Sequence, residues 1–389
     1  MTVINRFADF HDEIAGWRQD IHAHPELSFD VERTAGFVTD KLKSFGVDEV
    51  VTGIGRTGVV GIIRGAKGDS GRCIGLRADM DALPIHETVE RPYASKTDGK
   101  MHACGHDGHT AMLLGAAKYL AETRNFDGQV ALIFQPAEEN GGGGQVMVED
   151  GMMDRFGIDE VYGLHNMPGL PVGEFATNDG PLLASADDIS ITVTGYGGHA
   201  ARPHECIDPI VIGAEIVGAL HMLVSRARDP MKPVVITITQ FHAGDAFNVI
   251  PPQARLCGTL RTMDNDVRNH LMEQISTTAG DIAKRYGGSA EVVFSQPYPV
   301  TRNHPEQTAK AGDAASRVAG EDRVTRDVTP KMGAEDFSYM LLARPGAFMM
   351  IGNGESAGLH HPEYDFNDEV IPHGCSYWVR LAETTLAEG

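Results

Sequence analysis

The chain has 389 residues, 54 of them acidic and 33 basic, for a formal net charge of −21. That length points to two domains, and the acidic balance argues against nucleic acid or an anionic membrane surface as a partner. Cys73, Cys104, Cys206, Cys257 and Cys375 are odd in number and far apart, with no C-x-x-C pair. This excludes a disulfide framework and a structural zinc ribbon as readings and fits a reducing, cytoplasmic setting. The first residues are polar and helical in pattern, without a basic start and apolar stretch, and no apolar run reads as a membrane span.

Residues 1–183 alternate strand-like apolar runs with helical patterns: Val59 to Ile63, RCIGLRA, a helix beginning near Thr110, QVALIFQ and EVYGL. This is the pattern of an α/β domain. On the helix near Thr110, Met112, Leu113, Ala116, Ala117 and Leu120 are spaced to lay one apolar stripe against a sheet.

Between 184 and 297 the pattern changes to strand, helix, strand, strand, helix, strand. Asp208 and Pro209 mark the first helix start, a capping acid followed by proline at the first helical position. Ile207, Ile210, Val211, Ala214, Val217 and Val224 are read as its buried face; the second helix, from about Asp264 to Tyr286, carries Val267, Leu271, Ile275, Ala279 and Ile282 in register. The order predicts a ferredoxin-like α+β domain. The α/β pattern resumes over 298–389, so the catalytic domain is read as split in two, at 1–183 and 298–389, around an insertion at 184–297.

Five residues able to bind metal lie in four places: Cys104 and His106 in MHACGHDGH, Glu139 in QPAEEN, His165 in GLHNMP and His360 in GLHHPEYDFND. A structural zinc site takes its ligands from one short segment, whereas a catalytic centre draws on several strand ends. Glu138 and Glu139 follow one strand and His165 another, and His360 lies a short loop beyond a third. They are therefore expected at the carboxyl edge of one sheet, where open α/β folds place their sites. Asp79, in LRADMDALP, also ends a strand and is expected to orient a ligand histidine from behind. Adjacent residues on an extended segment point opposite ways, so His360 and His361 are alternatives by spacing alone. The glycines at 141–144 lack the G-K-[ST] of a phosphate loop and read as a turn.

These motifs, with GGHAARPH and MGAEDF, resemble the aminoacylase and carboxypeptidase family of two-metal amidohydrolases, and most closely its branch of hippurate hydrolases and indole-acetyl-amino-acid hydrolases. The resemblance covers nearly the whole chain. It implies a zinc-peptidase-like α/β domain with an inserted ferredoxin-like lid, through which a homodimer or higher homo-oligomer forms. It further implies two divalent ions per subunit, bridged by Cys104 and completed by His106, Glu139, His165 and His360. Arg77 stands where many relatives have a histidine, which marks the cysteine-bridged branch. The L-H-x-P pattern of the branch selects His360, and its pattern makes neither His102 nor His109 a ligand. A thiolate favours zinc, manganese, cobalt or nickel over magnesium or calcium.

By the same resemblance Glu138 is the general base, His199 of GGHAARPH the donor to the oxyanion, reaching a partner subunit's active site, and Asn248 and Arg261 hold the substrate carboxylate. Arginine's planar fork suits that contact. The expected reaction is hydrolysis of an N-acyl amino acid. A dipeptidase or aminopeptidase on the same scaffold is the alternative, and an acyl hydrolase with Cys104 as nucleophile a more distant one.

Overall fold

The computed structural model describes residues 3–226 and 228–387, in two compact units. One comprises the chain up to Leu182 together with Arg302–Thr329 and the segment from Asp336; the other comprises Leu183–Thr301 and Pro330–Glu335.

An eight-stranded sheet forms the first unit, in the order Glu49–Ile54, Gly58–Arg64, Asp127–Gln135, Gly68–Asp79, Glu160–Pro168, Gly346–Gly354, Phe175–Ala176 and Val324–Thr325. The four strands from Asp127–Gln135 to Gly346–Gly354 run parallel to one another, while the first two pair antiparallel. Apolar side chains fill these parallel strands: Asp127–Gln135 is buried over its last six residues and Gly346–Gly354 at all but its last. Buried on both faces, such strands read as continuous apolar runs rather than alternating ones. Helices Arg6–His22, His106–Thr123 and Ile371–Thr385 pack together against the sheet.

Helix His106–Thr123 begins four residues before the predicted start. Its first turn, HDGH, has no apolar period to reveal it, and Gly105, at φ 92°, sets the boundary. Enclosed by sheet and helices, it is buried around most of its circumference, from His106 to Ala117 without a break, rather than along one stripe.

The second unit has a four-stranded antiparallel sheet in the order Val234–His242, Gln253–Thr262, Ala186–Thr194 and Ser289–Tyr298, with helices Pro209–Arg226 and Asn265–Arg285. This is the ferredoxin-like arrangement. Asp264 caps the second helix by accepting from the N–H groups of Asp266 (2.9 Å) and Val267 (3.1 Å). The predicted face of the first helix is corrected in part: Ile207, Val217 and Val224 pack partly buried against the unit's core, but its buried centre is Ile212, Gly213, Ile216 and Leu220, whereas Ile210, Val211 and Ala214 are exposed. This helix is also long and apolar enough to cross a membrane, contrary to the sequence reading, yet its Ile212, Ile216 and Leu220 belong to the unit's own core.

Candidate metal centre and active site

The parallel strands end together, and the predicted donors follow those ends. Asp79 closes Gly68–Asp79, Glu138 and Glu139 come just after Asp127–Gln135, His165 lies in the last half of Glu160–Pro168, and His360 follows Gly346–Gly354. Cys104 and His106 approach the same edge from the loop that opens helix His106–Thr123.

Of the groups of donor atoms that result, two meet at Cys104. Cys104, His106 and His165 form one; Cys104, Glu139 and His360 form the other, and in each group all donor atoms lie within 4.8 Å of one another. Cys104 belongs to both. His165 Nε2 is 3.5 Å from Cys104 Sγ, and His360 Nε2 is 3.3 Å from Glu139 Oε1. Glu138, also buried, lies in a third such group with His106 and Glu139. His361 points elsewhere, accepting from the Glu363 N–H.

Hydrogen bonds aim these donors. His106 Nδ1 donates to the carbonyl oxygen of Asp81 at 2.8 Å, and His165 Nδ1 donates to that of Asn166 at 2.7 Å. Each ring therefore turns Nε2 toward the cluster. Among the described residues, His106 Nε2 and Glu139 Oε1 are buried with no well-aligned hydrogen-bond partner, although Asp79 stands 3.6 Å from the first and His360 3.3 Å from the second. Buried polar atoms left in that state are costly, and a cation is the partner this donor set suits: thiolate, imidazole and carboxylate are the ligands of zinc-like ions.

Charge points the same way. Burial disfavours a proton on His106, but Asp79, Asp81 and Glu139 outweigh it and push the pKa up to about 10. Burial, reinforced by Glu139, Glu138 and Asp79, holds the Cys104 thiol well above its ordinary range. Burial and the neighbouring His109 and His106 keep His165 well below its own, neutral and with a lone pair to give. The pocket is short of positive charge, which a dication supplies while drawing the proton from the thiol.

Two backbone outliers flank these donors. Ala137, just before the glutamate pair, has φ 55°, and His360 itself has φ 63°. Non-glycine residues adopt this left-handed conformation where the surroundings over-determine it, often at functional sites. The His360 N–H is anchored to the Ala103 carbonyl at 2.8 Å.

Behind the donors lies a second set of contacts, most of which the sequence did not reveal. Asp79 Oδ1 accepts from His109 Nδ1 at 2.6 Å, and its Oδ2 accepts from Arg77 at 2.7 Å. Asp79 thus holds His109, standing 3.6 Å from His106 Nε2. His109 Nε2 accepts from the Asn166 N–H at 3.0 Å, so both its ring nitrogens are engaged within the protein. The Asp81 carboxylate accepts from the N–H groups of Glu138 (3.0 Å) and Glu139 (3.2 Å), fixing the turn that presents the two acids. The Asp79/Asp81 alternation in LRADMD was the available signal for that second aspartate.

In the other unit, His199 and Asn248 come together at an exposed tip: His199 pairs with Val249, and the Ala200 N–H donates to the Asn248 carbonyl at 3.0 Å. His199 Nδ1 accepts from the Ala201 N–H at 3.1 Å, so the neutral ring carries its proton on Nε2. Arg261 is half-buried on strand Gln253–Thr262, opposite Val235.

Residues 75–384 match the pattern of peptidase family M20/M25/M40. The chain is 41% identical to a hippurate hydrolase of Campylobacter jejuni, over 98% of this chain and 99% of that protein. It is 40% identical to thermostable carboxypeptidase 2 of Saccharolobus solfataricus, over 98% of each. Among solved structures it is similar to a Bacillus subtilis dinuclear metal binding peptidase of the M20 family, with a TM-score of 0.84 and 35% identity over 97% of this chain and 99% of that one. Similarity of this extent, in a chain whose strand ends gather this donor set, means that the protein belongs to peptidase family M20/M25/M40 and is a metal-dependent hydrolase of amide bonds.

Proposed function

We propose that the protein hydrolyses N-acyl amino acids to a carboxylic acid and a free amino acid. The observation that carries this reading is the pair of donor groups sharing Cys104, in a chain whose relatives include the hippurate hydrolase, named for an N-acylated glycine. Cys104, His106, Glu139, His165 and His360 would hold two divalent ions from among zinc, manganese, cobalt and nickel, with the thiolate common to both. Ions so held supply a lowered pKa for water and polarisation of the scissile carbonyl.

Glu138 is the general base in this reading: it takes the proton of the attacking water and returns it to the departing amine. Of the two adjacent acids, Glu139 is turned to His360 and Glu138 acts on the proton. His199 donates Nε2–H to the oxygen that becomes an oxyanion, a role for which its tautomer is already set by the Ala201 N–H. Asn248 and Arg261 hold the carboxylate of the amino-acid half.

The inserted unit acts as a lid and as the seat of a homodimer. Support comes from its edge strand Val234–His242 and from the exposed apolar residues Ile210, Val211, Met222 and Phe241 on that strand and on helix Pro209–Arg226. In such a dimer His199 serves the partner's active site. The five cysteines are free, which suits a cytoplasmic setting.

A second reading has the carboxypeptidase relative in its favour: the acyl group is then a peptide, and the amide cut still precedes a free carboxylate. The nucleophilic role for Cys104 loses ground, because burial, reinforced by the neighbouring carboxylates, raises the thiol's pKa and disfavours the thiolate in the absence of a metal. The test is hydrolysis of N-benzoylglycine, N-acetyl amino acids and free dipeptides by metal-stripped protein, before and after adding zinc, manganese, cobalt or nickel. Cleavage of blocked substrates only with metal is the expected result. Cleavage of free dipeptides alone moves the assignment to a peptidase, and full activity in the stripped protein overturns the metal reading.

A further inference from the structure

Asn166 adjoins His165 and is wholly buried, and its side chain spans three segments that carry donors. Its Nδ2 donates to the Cys104 carbonyl at 2.6 Å and lies 3.0 Å from His109 Nε2. Its Oδ1 accepts from the Tyr364 hydroxyl at 2.6 Å, four residues beyond His360. Its own N–H occupies the His109 lone pair, and the His109 ring packs edge-on against His165 with centroids 4.5 Å apart. Gly105 leaves the room for this: a Cβ there would fall 2.2 Å from Asn166 Nδ2 and 2.6 Å from the Tyr364 oxygen, at a φ of +92°.

We propose that Asn166 is a positioning residue that sets the Cys104 thiol relative to His165 and, through Tyr364, ties in the loop bearing His360. The position of Sγ depends on the peptide plane that follows Cys104, and the Asn166 amide pins that plane by its carbonyl. Aspartate has no N–H for this bond, and an apolar side chain leaves the Cys104 carbonyl and the Tyr364 hydroxyl buried without partners. Asn166 acts through Cys104, His109 and Tyr364, to which its side chain and backbone N–H are bonded. Outer contacts of this kind commonly change metal affinity 10- to 100-fold.

The inference rests on the metal reading above, and the experiment separates the two. Metal-stripped wild-type protein, Asn166→Ala and Tyr364→Phe are titrated with Co²⁺, following the thiolate-to-cobalt charge-transfer band and competition with a chelator. Circular dichroism of the stripped proteins reports the fold. For Asn166→Ala we expect cobalt affinity to fall about tenfold or more, with a weakened or shifted thiolate band and an unchanged circular dichroism spectrum. Tyr364→Phe, which keeps the ring and the Asn166 to Cys104 bond, changes both readouts in the same direction by less. A folded Asn166→Ala protein with wild-type affinity and band overturns the proposal. Should Asn166→Ala not fold, Tyr364→Phe decides alone, and a wild-type band and affinity there overturn it. Failure of the wild-type protein to take up cobalt instead removes the metal reading, and the positioning role with it.

Discussion

The donor cluster and the His199 tip represent two ways of holding chemistry in one chain. At the cluster, His106, Glu138, Cys104 and His109 are buried and His360 alone of the histidines there is exposed; the His106 and His109 rings are each fixed by a hydrogen bond, and the contacts extend back through Asp79 to Arg77. At the tip, His199, Asn248 and Phe247 are exposed, and a two-residue ladder holds the backbone. The difference teaches where preorganisation is needed. Ligands must be placed before an ion arrives, because their mutual repulsion and burial resist assembly. In the proposed function His199 meets its target, a developing oxyanion, only when substrate is present, which an exposed edge with the tautomer set in advance by the Ala201 N–H would suit.

The largest expected effect comes from separating ligation from chemistry within the cluster. Glu138→Gln keeps the shape of the side chain and leaves Cys104, His106, Glu139, His165 and His360 in place. It should lower kcat on the order of 10³-fold, the middle of the range for a lost general base, while cobalt uptake stays at the wild-type level. Comparable loss of both activity and metal would show that Glu138 is a ligand, erasing the division of labour between the two acids.

A smaller effect is expected at the tip. His199→Ala should cost roughly 10²-fold in kcat, as loss of one oxyanion donor does, without a change in metal content. Mixing this variant with Glu138→Gln tests its direction of action. When subunits exchange, a mixed dimer has one site with intact Glu138 facing an intact His199 from the partner, and partial activity returns. No recovery after verified exchange would mean that each subunit uses its own histidine.

The two regions were also unequally legible. Donor residues stood out as an ordered set: Glu138, Glu139 and His165 at strand ends, with the Cys104–His106 pair and His360 in distinct motifs of their own. The ferredoxin-like strand order was legible from period alone. Helix Pro209–Arg226 was oriented correctly only in part, because apolar residues occur around its whole circumference and no period selects Ile212, Ile216 and Leu220 over Ile210 and Val211. Asn166 and Tyr364 gave no signal either. Their bonds join residues 62 and 198 positions apart, and nothing local in GLHNMP or HPEYDF announces a partner at that distance.

The smallest predicted effect touches stability rather than turnover, and it asks whether the rigidity behind the cluster is electrostatic. Asp107, next to His106, is fully buried between His22, at 2.9 Å, and Arg18, at 3.5 Å, and His22 also lies 3.3 Å from Glu87. Burial opposes charge on His22, but Asp107 and Glu87 prevail and raise its pKa from 6.5 to about 9. A folded-state pKa above the unfolded one gives stability that is fully present below about pH 6.5 and is lost as pH rises through about 9. The shift corresponds to about 3 kcal/mol at most. Thermal melts of wild type and His22→Gln should therefore differ most near pH 6, and the gap should close toward pH 10, with Arg18 still pairing Asp107 in both proteins. A gap that stays constant across that range would mean His22 is neutral in the folded protein, and that packing rather than charge holds the first turn of the helix that begins at His106.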